Sequence, residues 1–179
     1  MEKFRDAIDR NLSQISVGSF QQLADDNFRK SFDDLVRRNG ADAGAIWIVE
    51  HDNPQVLTIA VNVGEKGDSI EGEVQQVIET GLVSRAYKDK EFVHDQGAFR
   101  NAEQSDSVDR QLGQFTAHQM ALPFNVFGNT VGAVTLIQLA TPQNVAGREW
   151  GFNEAAENSF QCWTSIAQQL IEWAVVRDA

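Results

Sequence analysis

The sequence predicts an α+β fold: a central antiparallel sheet, with the N- and C-terminal helices on one face and short helices plus a long loop on the other. Three observations predict it. Residues 19–38 and 153–176 carry apolar side chains at helical spacing. Residues 44–50 (GAIWIVE), 55–63 (QVLTIAVNV) and 118–139 (HQMALPFNVFGNTVGAVTLIQL) are strand-like runs broken by turn residues. Residues 96–113 form a polar segment poor in large apolar residues, a length that inside a compact domain marks a functional lid or a mobile loop.

In residues 1–15, Phe4, Ile8, Leu12 and Ile15 make a narrow helical stripe that meets either its own domain or a second subunit. Ser16-Val17-Gly18 interrupts it, so residues 1–18 are expected to be a helical extension and 19–179 a single domain. Ser19 and Gln22 have capping-box spacing, Phe20, Leu23, Ala24, Phe28, Phe32, Leu35 and Val36 continue the stripe, and Asn39-Gly40 supplies a left-handed stop. The strand at 44–50 is apolar on both faces, as in a strand covered on each side. Residues 71–79, with Val74, Val77 and Ile78, read as a short helix, and 82–87 as another running into Phe92-Val93. A short helix over 107–112 fits the polar segment. The hairpin turns at Gly128-Asn129. Asn153 caps the last helix, whose apolar arc takes in Phe160, Trp163, Ile166, Ala167, Leu170, Ile171 and Ala174, is widened by Trp173 and Val175, and is broader than one sheet face needs.

The chain has 179 residues, enough for one domain with a real core, and no apolar run approaches the roughly 18 residues of a membrane helix. The charged N-terminus lacks a signal-peptide core, so the expected location is cytoplasmic, with no membrane partner. A net charge of −11 without a Lys/Arg cluster argues against a nucleic-acid partner. The single Cys162, between Phe160 and Trp163, reads as a buried structural thiol and excludes an internal disulfide and cysteine-cluster metal sites. His51, His94 and His118 show no ligand spacing, so no metal site is expected. No nucleophile elbow or phosphate loop occurs, so no catalytic residue is assigned and the chain reads as a non-enzyme.

The order of these elements, with several local motifs, resembles a GAF domain. Gly81-Leu82-Val83-Ser84-Arg85-Ala86-Tyr87 followed by Glu91-Phe92-Val93-His94-Asp95, Met120-Ala121-Leu122-Pro123-Phe124, and Gly132-Ala133-Val134-Thr135-Leu136 resemble that family's middle segment and paired strands. Lys90 and Phe92 stand where the family usually has Gly and Pro. Gln138-Leu139 and Phe152-Asn153-Glu154 depart from the cyclic-nucleotide branch. The cysteines of the methionine-sulfoxide reductase branch and the pigment-attaching cysteine of the bilin branch are missing from the pocket segments. The resemblance implies a sensory or regulatory domain that binds a small molecule between the sheet and the 96–113 loop, with its terminal helices passing the signal to an identical subunit. It names no cofactor. The alternative is a ligand-free interaction or dimerisation module.

The candidate ligand-contacting residues are Trp47, Arg85, His94, Phe99, Phe115, His118, Met120 and Thr135. Six of them have a plainer reading. Trp47 fits a core aromatic as well as a pocket wall, and Arg85 an ion pair as well as an anion contact. His94-Asp95 fits an exposed loop pair, Phe99 and Phe115 loop anchors. His118, sharing a strand face with Met120 and Leu122, fits a hydrogen-bonded, half-buried histidine.

Overall fold

The computed structural model describes residues 15–50, 52–97, 106–141 and 148–177. The sequence stripe at Phe4, Ile8 and Leu12 and the candidate Phe99 lie outside them. The elements are α1 (Val17–Leu23), α2 (Asp26–Arg38), β1 (Ala43–Val49), β2 (Val56–Gly64), a 3-10 turn (Gly67–Ile70), β3 (Gln75–Val77), α3 (Leu82–Asp89), β4 (Val93–Asp95), α4 (Ser107–Leu112), β5 (Thr116–Val126), β6 (Asn129–Leu139) and α5 (Glu154–Arg177). The six strands lie in the order β3-β2-β1-β6-β5-β4, each pair antiparallel.

The expected layering holds. On one face α1, α2 and α5 bury Phe20, Phe28, Phe32, Phe160 and Ile171 against Ile46, Ile48, Met120, Phe124, Val134 and Leu136. On the other, Ala45, Trp47, Leu57, Ile59 and Ala133 meet Val74, Ile78 and Val83, with Val108 and Leu112 partly covering them. The alternation of Ala45 and Trp47 against Ile46 and Ile48 is why β1 reads as apolar on both sides.

Several local expectations are corrected. The N-terminal helix is two helices rather than one over 19–38. Ser16, not Ser19, caps the first in a capping box whose other member is Ser19. Asp25 caps the second, its Oδ1 accepting from the Phe28 amide at 2.8 Å. A new cap inside the periodic stretch ends one helix and starts another without shifting the apolar stripe. Asp25→Ala should cost about 1 kcal/mol, read as a lower urea midpoint at unchanged slope.

Residues 71–79 hold no helix; the edge strand β3 forms there instead, with Leu57 opposite Gln76. Pairing with β2 wins over a weak three-residue apolar spacing. The hairpin turn sits one residue early, with Phe127 (φ 49°) and Gly128 (φ 78°) both left-handed, the signature of a type I′ turn. A glycine is natural at 128. Phe127 is held there by partial packing on the core and by its amide donating to Glu172 Oε1 at 2.6 Å.

On α5 the buried face is Ala156, Phe160, Thr164, Ala167, Ile171 and Val175. Ile166, Leu170 and Trp173, expected inside or widening the buried stripe, are exposed, Trp173 at 75%. Trp163 is half-buried, stacked on Phe32 with centroids 4.5 Å apart and donating from Nε1 to Ser31 Oγ. Cys162 is exposed, not the buried thiol expected, because the sheet takes a narrower arc of α5 than its composition suggests. Among the described residues no helix is long and apolar enough to cross a membrane.

Candidate functional site

A cavity lies on the sheet face away from the terminal helices. Its floor is β1, β2, β5 and β6, contributing Ala45, Trp47, Ile59, Thr116, Gln119, Thr135 and Ile137. Its walls are Gln76 from β3, Leu82 and Val83 from α3, and Val108, Asp109 and Leu112 from α4. The strands put these side chains here by period-2 alternation, and α3 starts in position because Gly81 takes φ 89° just before it. The free volume is about 50 Å³. That holds a few waters, well short of the roughly 300 Å³ of a typical occupied ligand site.

The polar groups of the wall are largely engaged. Trp47 Nε1 donates to Thr135 Oγ1 at 3.2 Å, which fixes the indole within the floor. Asp109 accepts from the Thr116 amide (2.8 Å), Thr116 Oγ1 (2.7 Å) and Gln114 Nε2 (3.3 Å), tying α4 to the start of β5. Gln76 Nε2 donates to Thr80 O (2.6 Å) and Ser84 Oγ (3.1 Å), which locks β3 to the turn before α3.

Of the eight candidates, the structure brings Trp47 and Thr135 together in this cavity. Phe115 is exposed between the lining residues Gln114 and Thr116, beside the cavity rather than in it. Arg85 points outward on α3 and pairs with Asp89 at 3.5 Å. His94, His118 and Met120 lie on the opposite face. Met120 belongs to the core under the terminal helices, and His118 stacks on Trp150 with centroids 5.7 Å apart. His94 Nδ1 is 2.5 Å from Glu157 Oε1 on α5, a direct tie between β4 and the last helix. His118, Met120 and Leu122 do share a face, as the alternation predicts, but it is the helix side. The unexpected lining residues include Gln119, Gln76, Asn62 and Asp109; Gln119 was detectable as a polar residue within a strand covered on both sides.

Burial lowers the His118 pKa below its usual value, and His94 and Arg148 add to this against the opposing pull of Asp95. The unfolded chain therefore binds more protons than the native state just below the ordinary value of about 6.5. Stability from this group is complete above that pH and is lost as pH falls toward the lowered native pKa. His118→Gln should flatten the part of the urea-midpoint profile that lies below about pH 6.5. An unchanged slope would place the acid sensitivity elsewhere. Among the described residues no group of three or more His, Cys, Asp or Glu side chains is arranged to hold a metal ion.

The sequence matches no family model and no curated protein. Solved structures do share its fold. The GAF domain of a phosphoenolpyruvate-protein phosphotransferase from Coxiella burnetii superposes at TM-score 0.63 and 16% identity, over 98% of this chain and 95% of that one. The GAF-B domain of DevS from Mycobacterium smegmatis gives 0.60 at 13%, over 82% and 91%. A type II free methionine-R-sulfoxide reductase from Thermoplasma acidophilum gives 0.63 at 16%, over 84% and 94%. With the strand order, the two helical layers and the placement of the cavity, these superpositions establish that this chain has the GAF fold.

Proposed function

We propose that the chain is a non-enzymatic sensory or regulatory module that binds a small molecule in the cavity beneath α3 and α4 and signals through its terminal helices. The carrying observation is the cavity itself, floored by a fixed indole and walled by two short helices, one of which, α4, has no buried residue. Ligand entry would shift the populations of two α4 positions. GAF domains of a phosphotransferase and of DevS share the fold, which supports a regulatory role. Against reductase chemistry, Cys162 is exposed on α5, across the sheet from the cavity.

The signal would pass to a second copy of the chain. Ile166, Leu170 and Trp173 recur at helical spacing on the outer side of α5 and stand exposed, an arrangement suited to helix-on-helix pairing about a two-fold axis. Trp173→Glu should convert a dimer to a folded monomer in light scattering, with unchanged circular dichroism. A wild-type monomer at high concentration would remove the dimer from the proposal. A cytoplasmic setting suits such a module.

One observation favours the second reading, a ligand-free interaction module: the free volume of about 50 Å³ leaves the cavity nearly filled by its own side chains. Native mass spectrometry of the purified protein separates the two. A retained small molecule, or stabilisation by members of a metabolite panel, supports the sensor. A bare mass with no stabilising compound supports the interaction module.

A further inference from the structure

We infer that the cavity ligand is an uncharged or cationic molecule with an amide-like donor–acceptor edge, of the kind a nucleobase or a primary carboxamide presents, and not a phosphate or carboxylate. This rests on the sensor reading above and specifies its ligand.

Gln119 carries the inference. The residue is only 5% exposed and lines the cavity from β5. Its side-chain amide makes no hydrogen bond among the described residues, whereas the amide nitrogens of Gln76 and Gln138 both have partners. Neither amide atom is among the fully enclosed orphan atoms, so each keeps some accessible surface on a residue that lines the cavity. A buried amide left without partners costs stability unless something occupies its donor and acceptor sites. A glutamine amide offers one N–H donor edge and one carbonyl acceptor side by side. The complementary group is another planar donor–acceptor pair.

The rest of the wall defines shape and charge. The Trp47 ring, held by Thr135, lines the floor and contributes an apolar aromatic contact that suits a planar molecule. Among the described residues the lining includes no Lys, Arg or His, while Glu65 and Asp109 contribute carboxylates. An anion entering here would meet like charge and, among the described residues, no cationic partner, a desolvation cost without compensation. Asp109 is already saturated by Thr116 and Gln114, so it repels anions more than it recruits cations. Room for the ligand has to come from α4, the wall with no buried residue, through outward movement of Val108 and Leu112.

The test uses matched pairs: nicotinamide and nicotinate, uracil and orotate, adenine and AMP, titrated into the full chain by calorimetry and followed by thermal shift. The neutral member of at least one pair should bind at least roughly tenfold more tightly than its anionic counterpart. Gln119→Leu should abolish that binding while raising the melting temperature of the ligand-free protein by roughly 2 °C, because it removes an unsatisfied buried amide. That combination excludes a mere folding defect. Thr135→Val, which frees the indole, gives a second variant should Gln119→Leu fail to fold, and should weaken the same ligand. Preference for the anionic members would overturn the ligand class but leave the sensor reading standing. Absence of binding by every member, with no small molecule in the native mass spectrum, would overturn both.

Discussion

Gly132→Ala is expected to abolish cooperative folding or to cost about 4 kcal/mol, near the upper end of single-residue effects and a large part of a domain's total stability. A methyl group at Gly132 would stand 1.8 Å from the Trp47 carbonyl oxygen, 2.8 Å from its carbon and 3.1 Å from Ile48 Cα. All three are backbone atoms of β1, the strand paired with β6 at this point. No rotamer change relieves such a clash; β1 must move, and with it Trp47, Ile46 and Ile48, which serve both cores and the cavity floor. Gly18 provides the control. It is an exposed position in α1 with nothing within 4 Å of a built Cβ, so Gly18→Ala should raise stability by about 0.5 kcal/mol through helix propensity and reduced unfolded-state freedom. Urea denaturation of both variants measures the contrast. A Gly132→Ala protein of wild-type stability would mean that β1 and β6 do not approach as closely as described.

The fold was legible where periodicity is long. The apolar stripe of α2, the two-sided apolar run of β1 and the paired runs of β5 and β6 each settle their own element, because burial rewards one period over many residues. Residues 71–79 were misread because β3 spans only Gln75–Val77, too few residues for a period-2 signal to outweigh Val74, Val77 and Ile78 at near-helical spacing. The exposed side of α5 was misread for a different reason. Its outer stripe is as apolar as its inner one, and composition cannot tell a face that meets the sheet from one left for a partner.

Legibility of the site follows the same physics. Trp47 and Thr135 emerge because β1 and β6 are adjacent strands with Ala45 opposite Thr135, which places the two side chains on one face. Alternation also groups His118 with Met120. Yet which face of β5 meets the cavity is a tertiary fact, and a register irregularity between Thr116 and His118 resets the count at the strand entrance. Candidates chosen on one parity therefore fall under the helices, while Gln119, of the other parity, reaches the cavity. Lys90 departs from the family that the sequence resembles. It stands where glycine is usual and still adopts the left-handed conformation (φ 58°) that ends α3.

Arg29→Met is expected to cost about 3 kcal/mol, more than its place on a partly exposed helix suggests, because the loss falls on Glu71. The Glu71 carboxylate is only 7% exposed and accepts from Arg29 Nη1 at 2.6 Å, from Nη2 at 3.0 Å and from the Asn62 amide at 2.8 Å. The paired guanidinium is held even further above its ordinary pKa by the hydrogen bond to Glu71, so it stays charged throughout the accessible range. With Arg29 gone, one amide remains to solvate a buried carboxylate. Glu71→Gln should be milder, since Arg29 is 26% exposed and can turn to water, and a glutamine oxygen still accepts from Asn62. The double variant should recover part of the loss, giving a coupling energy of about 1–3 kcal/mol in a double-mutant cycle. The pair joins α2 to the residue that follows the 3-10 turn, and the same carboxylate holds the Asn62 amide of β2, so it also ties down the turn bearing the cavity-lining Glu65. Additive single losses would mean that the two side chains are solvated independently, and that the α2 contact plays no part in positioning that edge of the cavity.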